Sequence, residues 1–389
     1  MSETIQPSVT NPRVRELCGT MEVHRRLLNE SITYQERRAL IDNRALAYEL
    51  QTRSIARSGV TTIPIVVHVV HNPADPSQNI SETQVHNQIE VLNQDFRASN
   101  SDVSQVPAVW TDRVADCNIE FQLAAQDPDG NPTDGITRTP STVPFFTTEL
   151  DDVKSSGTGG ADPWPSDDYL NLWVCTELRD GIGRVILGYA QFPGGPPTTD
   201  GVVIAGFCFG TGGTAQPPFD LGRTATHEIG HWLDLRHIWG DDRGSCSGSD
   251  LVDDTPNQAD ATFNKPSFPQ TSCNNGPDGN MFMNYMDYTD DAAMFMFTHG
   301  QSRRMDACLE GARASFLTAP AFALAAARPT PAAAAPAAMA PPAEAQGESQ
   351  VPQLRQEIER LRRDYQRARS TLDTIRAALS SDASGPADG

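Results

Sequence analysis

The chain has 389 residues, 38% of them hydrophobic, and carries 30 Lys+Arg against 50 Asp+Glu, a formal charge of −20. That is enough apolar material for one large or two ordinary cores, and the acidic balance excludes nucleic acid and anionic membrane surfaces as partners, because both would repel it. No apolar run reaches the roughly 18 residues of a membrane span, and the N-terminus MSETIQPSVTNPRVREL shows no secretory signal.

Residues 1–57 are charged and read as a separate helical segment. Ser31 can cap a helix in which Leu40, Arg44 and Ala47 follow at helical spacing, up to the turn Arg57-Ser58-Gly59. From Thr61 the residues become β-branched, and the near-continuous apolar run TIPIVVHVV predicts a buried strand. Ser81-Glu82-Thr83-Gln84 is a capping-box pattern, followed by Val85, Ile89, Leu92 and Phe96 on one helical face. Short strands are predicted at Ile119 to Leu123, Tyr169 to Cys175 and Gly201 to Ile204, between Gly, Pro and Asp turns. The mixed order gives an α+β class for the globular part, residues 58–317. Residues 318–350 are Ala/Pro-rich and read as a semi-rigid tether. In residues 351–380, Leu354, Ile358, Leu361, Tyr365, Ala368, Leu372, Ile375 and Leu379 alternate spacings of four and three. Two readings stand there: a coiled coil that makes a homo-oligomer, or a single helix docked on the globular part or partly frayed.

The stretch GRTATHEIGHWLDLRH, from Gly222 to His237, contains H-E-x-x-H. Residues four apart on a helix share a face, so His227 and His231 offer imidazole nitrogens to one ion, with Glu228 beside it. His237 joins them only if the helix stops and the chain turns back. Three neutral imidazoles with one open position are what a catalytic zinc requires, whereas a structural site is closed by a fourth protein ligand. The plainer alternative makes His237 a surface residue. His68, His71 and His86 read as structural or surface histidines, Trp232 and Trp239 as packing residues, and Arg303 and Arg304 as salt-bridged surface residues. The turn from Ser249 to Thr255 offers several oxygens, which suits calcium, or else is a solvated acidic loop. The seven cysteines include no C-x-x-C pair, and their odd number leaves at least one thiol unpaired.

The three-histidine pattern followed by Asn284-Tyr285-Met286-Asp287-Tyr288 resembles the metzincin signature with its methionine turn. NQDFRASNSD, GNPTDGITRT, YLNLWVC, GYAQFPGG, DLVDDTP and FTHGQSRRM extend the likeness, from about Leu17 to Met305, to the pappalysin (cytophagalysin-like) family of metzincins. The resemblance implies a zincin fold, with a mixed twisted sheet and helices above a cleft and an irregular lower half. It implies zinc on His227, His231 and His237, Glu228 as general base, and Met286 as an apolar floor. It implies that Tyr288 stabilises the oxyanion, although by itself Tyr288 reads equally as a core aromatic. Calcium at Asp250, Asp253 and Thr255, and a Cys246–Cys273 bridge, are implied likewise; Ala292-Ala293 stands where another family cysteine often sits. The chain departs from the pattern at Asp234, where metzincins usually place glycine in a left-handed conformation that Asp tolerates better than most residues.

The expected function is therefore a zinc-dependent endopeptidase acting on proteins or peptides, secreted by chemistry and resemblance. The alternative is a catalytically silent zinc-binding scaffold assembled through residues 351–380, but zinc binding alone would not require Glu228. Asp290 and Asp291 either line the primed-side pocket and favour basic residues or are solvated. Cys18-Gly19-Thr20 resembles the family's cysteine switch: a Cys18 thiolate on the fourth zinc position would keep the proenzyme latent until it is cut near Arg53 or Arg57. The competing reading is a free thiol on a disordered arm.

Overall fold

The computed structural model describes residues 17–50, 55, 57–242 and 244–317. These lie in the first of two units, Met1–Arg328. The tether 318–350, the heptad segment 351–380 and Arg53 lie outside the described residues.

The strand expected from Thr61 is β1, Thr61–His71, and it is buried over nearly all its length. Its apolar residues face both ways because it lies inside a largely parallel sheet covered on both faces. β2 (Ile119–Leu123) and β3 (Ile136–Pro140) pair in parallel with successive parts of one edge of β1. β4 (Leu170–Cys175) pairs in parallel with its other edge. Next come β6 (Val202–Ala205), parallel to β4, and at the margin β5 (Gly188–Ala190), antiparallel to β6. The reversal at β5 leaves one strand edge open for pairing with another segment.

α3, Glu82–Phe96, begins where the sequence places it, and Ser81 accepts a hydrogen bond from the Gln84 amide at 3.1 Å. The reciprocal bond of a capping box is not made: the Gln84 side chain instead donates to the Phe209 carbonyl at 2.8 Å. Tertiary demand for that carboxamide outweighs the local motif. A complete box forms at Thr298 and Gln301, heading α5, His299–Leu309. α3 packs on β2 and on α4 (Arg223–Trp232), and α4 packs on β5 and β6. The half that follows α4 has little regular structure and is stapled by the Cys246–Cys273 disulfide. The other five cysteines are buried and free, so the described residues hold one bridge.

The N-terminal segment forms two helices, α1 (Thr20–Glu30) and α2 (Ile32–Glu49), and Ser31 caps the second through the Tyr34 amide. Leu17, Cys18, Val23, Leu27 and Tyr34 are buried in the main core, and Ala45 and Tyr48 pack with Ala307 of α5. The helices are thus built into the body, because their apolar faces complete its core.

Candidate active site

α4 carries His227, Glu228 and His231, all buried. It stops at Leu233 with two backbone bonds, from the Asp234 amide to the His231 carbonyl and from the Leu235 amide to the Gly230 carbonyl, each 2.9 Å. That is a Schellman ending, which needs a left-handed residue at the position of Asp234; its φ is 78°. The Asp234 carboxylate, 1% exposed, pairs with Arg38 at 2.6 Å and Arg304 at 2.8 Å. Arg304, expected at the surface, is buried: its Nε also donates to the Asp234 carbonyl at 2.7 Å, so it braces the turn from inside.

The turn brings His237 back to the helix. His231 Nε2 lies 3.1 Å from Nε2 of both His227 and His237. Each Nδ1 faces an acceptor: the Tyr285 carbonyl at 2.7 Å, the Leu235 carbonyl at 2.7 Å, and Asp241 Oδ1 at 2.8 Å. Nδ1 therefore carries the proton in each ring and the three bare Nε2 lone pairs converge, an arrangement that a shared cation satisfies. Burial, with His237 nearby, holds His227 down at about 3, and burial with both neighbouring imidazoles keeps His231 far below its ordinary range. Cys18 completes the group: its thiol and the three histidines lie within 4.8 Å of one another. Nitrogen and sulfur donors in this number fit tetrahedral zinc.

Met286 lies fully buried beneath α4. A Cβ on Gly230 would meet its sulfur at 2.5 Å, which explains the glycine in H-E-x-x-H here. The Tyr288 ring lies 5.0 Å from that of His237 and 5.7 Å from that of His227, while Trp239 stacks on His237 at 4.3 Å. A pocket beside His227 is lined by Phe219, Thr224, Tyr288, Asp291 and Met294, with Leu17 across it. Asp291 is buried and accepts from the Leu221 amide at 2.8 Å and the Arg223 amide at 3.2 Å; burial pushes its carboxyl up to about 7. Asp250 and Thr255 meet at 2.7 Å, whereas Asp253 is exposed.

The N-terminal segment enters along the open edge of β5. Leu187 N donates to the Leu17 carbonyl at 2.8 Å and Gly19 N to the Gly188 carbonyl at 2.9 Å, so the segment runs parallel to the strand. Beyond Cys18, Thr20 Oγ1 donates to Glu228 Oε2 at 2.8 Å and Cys18 Sγ approaches the same oxygen at 3.3 Å. Burial raises the Glu228 carboxyl to about 7, against the lowering effect of these two donors. Sequence reasoning named Cys18 but gave Thr20 no role, and it missed Asp241 and the Asp234 ion pairs. Asp241 alone left a signal, four residues beyond His237.

The family profile described as Pregnancy-associated plasma protein-A, peptidase family M43, matches residues 155–310. An extracellular metalloprotease of Pyricularia oryzae is 32% identical over 265 residues, 67% of this chain and 78% of that protein. Mature mirolysin of Tannerella forsythia, solved in complex with a cleaved peptide, is 51% identical with a TM-score of 0.64, over 67% of this chain and 96% of that one. A promirolysin mutant from the same organism is 44% identical with a TM-score of 0.72, over 81% of this chain and all (100%) of that one. With a relative 32% identical and covered over 78% of its length, the chain belongs to the pappalysin family of metzincin metalloproteases, as a metalloendopeptidase made in latent form.

Proposed function

We propose that this metalloendopeptidase uses zinc held by His227, His231 and His237, and that residues 1–57 are the pro-segment of a catalytic domain spanning 58–317. The observation that carries the reading is the convergence of three Nε2 atoms whose Nδ1 partners are all hydrogen-bond acceptors. Zinc bound there supplies Lewis-acid polarisation and brings the pKa of a coordinated water towards about 7. Once Cys18 and Thr20 have left, Glu228 accepts the proton of the attacking water and passes it to the leaving amine. Tyr288, beside two of the imidazoles, donates to the developing oxyanion. Met286 and Trp239 hold the imidazoles in place by packing, and neither ligates.

A second cation, calcium, is assigned to Asp250 and Thr255, where the Thr255 hydroxyl reaches both the buried Asp250 carboxylate and the Val252 carbonyl; exposed Asp253 would join by turning inward. Relatives named as extracellular metalloproteases, together with the Cys246–Cys273 bridge, support action outside the cell on proteins or peptides. The heptads at 351–380 favour self-association, which sedimentation of the full chain and of one ended at Pro320 would compare. For the central claim, Glu228→Gln in the activated enzyme should keep one zinc per chain by elemental analysis and lose peptide hydrolysis by about a hundredfold or more. Loss of the metal together with activity would make Glu228 a structural residue.

A further inference from the structure

The described contacts that hold the N-terminal helices lie on either side of residues 51–56. On one side, α1 fixes Glu22 to the Gly181 amide at 2.8 Å and to Thr148 Oγ1 at 2.9 Å, and Arg26 pairs with Asp151. α2 places Arg38 on Asp234 at 2.6 Å, and Asp42 between Arg304 at 2.9 Å and Arg236 at 3.2 Å. The Tyr48 hydroxyl bonds the Glu310 carboxylate. On the other side, Arg57 is fastened separately: its guanidinium pairs with Asp306 and donates to the Cys117 carbonyl at 2.7 Å, and its amide donates to Glu310 at 2.6 Å. Tyr48 and Arg57 thus grip the two oxygens of one glutamate from opposite sides of the same short stretch.

A cut within that stretch breaks a peptide bond without removing any of these contacts. It also leaves charge complementarity between the pieces. Arg38 and Asp42, one helical turn apart on α2, face Asp234 and the Arg236–Arg304 pair; when α2 departs, the body keeps two arginines against one acid, with Asp42's place between them empty of charge. Cutting residues 51–56 costs only the effective concentration that the covalent link supplies, which is in the millimolar range for short linkers.

We propose that residues 17–50 remain docked after the chain is cut between Leu50 and Arg57, as a non-covalent inhibitor held chiefly by the Arg38/Asp42 pair, so that activation needs a second event that dissociates or destroys the segment. This rests on the reading of residues 1–57 as the pro-segment, and it assigns to Arg38 and Asp42 a binding role distinct from that of Cys18.

The test uses the metal-loaded full chain with residues 51–56 replaced by the recognition sequence of a site-specific endoprotease, as wild type, as Asp42→Asn and as Arg38→Gln. Each is cut to completion at micromolar concentration. Initial hydrolysis of a fluorogenic peptide is then read, with size-exclusion chromatography on Glu228→Gln versions to prevent self-digestion. The cut wild type is expected to carry the fragment through the column and to stay at least about tenfold less active than the same sample diluted a thousandfold and corrected for concentration. Both substitutions should leave the uncut chain silent yet, once cut, weaken retention by about a hundredfold. Immediate loss of the fragment with full activity in the cut wild type would overturn the proposal while leaving latency intact. Retention unchanged by either substitution would overturn the assignment to the charge cluster. An uncut chain as active as the cut and diluted one would instead overturn the pro-segment reading itself.

Discussion

Asp234→Gly would show why an acid stands at the turn between the second and third histidines. A side chain in the left-handed region costs about 1–2 kcal/mol relative to glycine, and Asp234, at φ 78°, carries that cost. Against it stands a buried carboxylate paired with Arg38 and Arg304. Removing one partner of a buried ion pair costs about 3–5 kcal/mol; Asp42 still contacts both arginines, so the lower end applies. In the proenzyme the net loss should be about 1–2 kcal/mol, which for a body of this size lowers the melting temperature by about 2–3 °C. After the pro-segment has left, Arg38 is gone and Arg304 faces solvent, where a pair contributes about 0–1 kcal/mol. The strain term then wins, and glycine should be neutral or stabilising by up to about 2 kcal/mol. Calorimetry on the metal-loaded proenzyme and on enzyme freed of residues 1–56 measures both. An equal drop in the two forms would refute the argument that Arg38 is what makes aspartate favourable at this position.

Cys18→Ala frees the fourth ligand position but leaves Thr20 on Glu228 and Leu17 to Gly19 on β5; the intact variant should gain peptide hydrolysis yet remain about tenfold or more below the freed enzyme, and adding Thr20→Val should raise it further. Activity equal to that of intact wild type would show that Cys18 is no latch. Burial alone would raise Asp42, but Arg38, Arg236 and Arg304 outweigh it and hold the carboxyl at about 2. A depressed folded-state pKa gives stability that is full above the unfolded value near 4 and is lost as pH falls towards 2. The difference in melting temperature between proenzyme and freed enzyme should therefore shrink between pH 4 and 2 and stay flat from 5 to 7 where Asp42 is concerned; an Asp42→Asn proenzyme that shows the same shrinkage would discount this group. Calcium added after a chelating wash should raise the melting temperature of wild type and leave Asp250→Ala unmoved, as binding to the native state requires. An equal rise in both would place the ion elsewhere.

The parts of the site legible in the sequence are those set by short chain separations. His227 and His231 share a helical face by spacing alone, and the buried runs at β1 and β4 announce a covered sheet. The return of His237 could be read from its offset because a left-handed aspartate is sterically tolerable. What holds the imidazoles was not legible: the Tyr285 carbonyl reaches His227 across 58 positions of chain, and nothing local marks that approach. Arg304 was misread because arginines are usually solvated, whereas here two acids from distant segments make its burial tolerable. Thr20 lies 208 positions from Glu228, so its hydroxyl gained a role only when β5 set the register of the incoming segment.

Asp234 joins these two kinds of information. Its backbone does what the proposed metal site requires, ending α4 so that His237 returns, and glycine would serve that purpose at lower conformational cost. Its side chain answers a different demand, because the carboxylate meets Arg38 of α2 and Arg304 of α5. The departure from the family pattern is therefore understandable only in the latent form, where the turn that shapes the metal site is also the place where α2 is anchored. Disturbing the docked helix should reach the third histidine through this one residue, since Arg304 grips both its carbonyl and its carboxylate. Release of α2 removes one of the two charges that fix the turn and leaves the other in place, so the metal-binding geometry can survive the loss of the segment that guarded it.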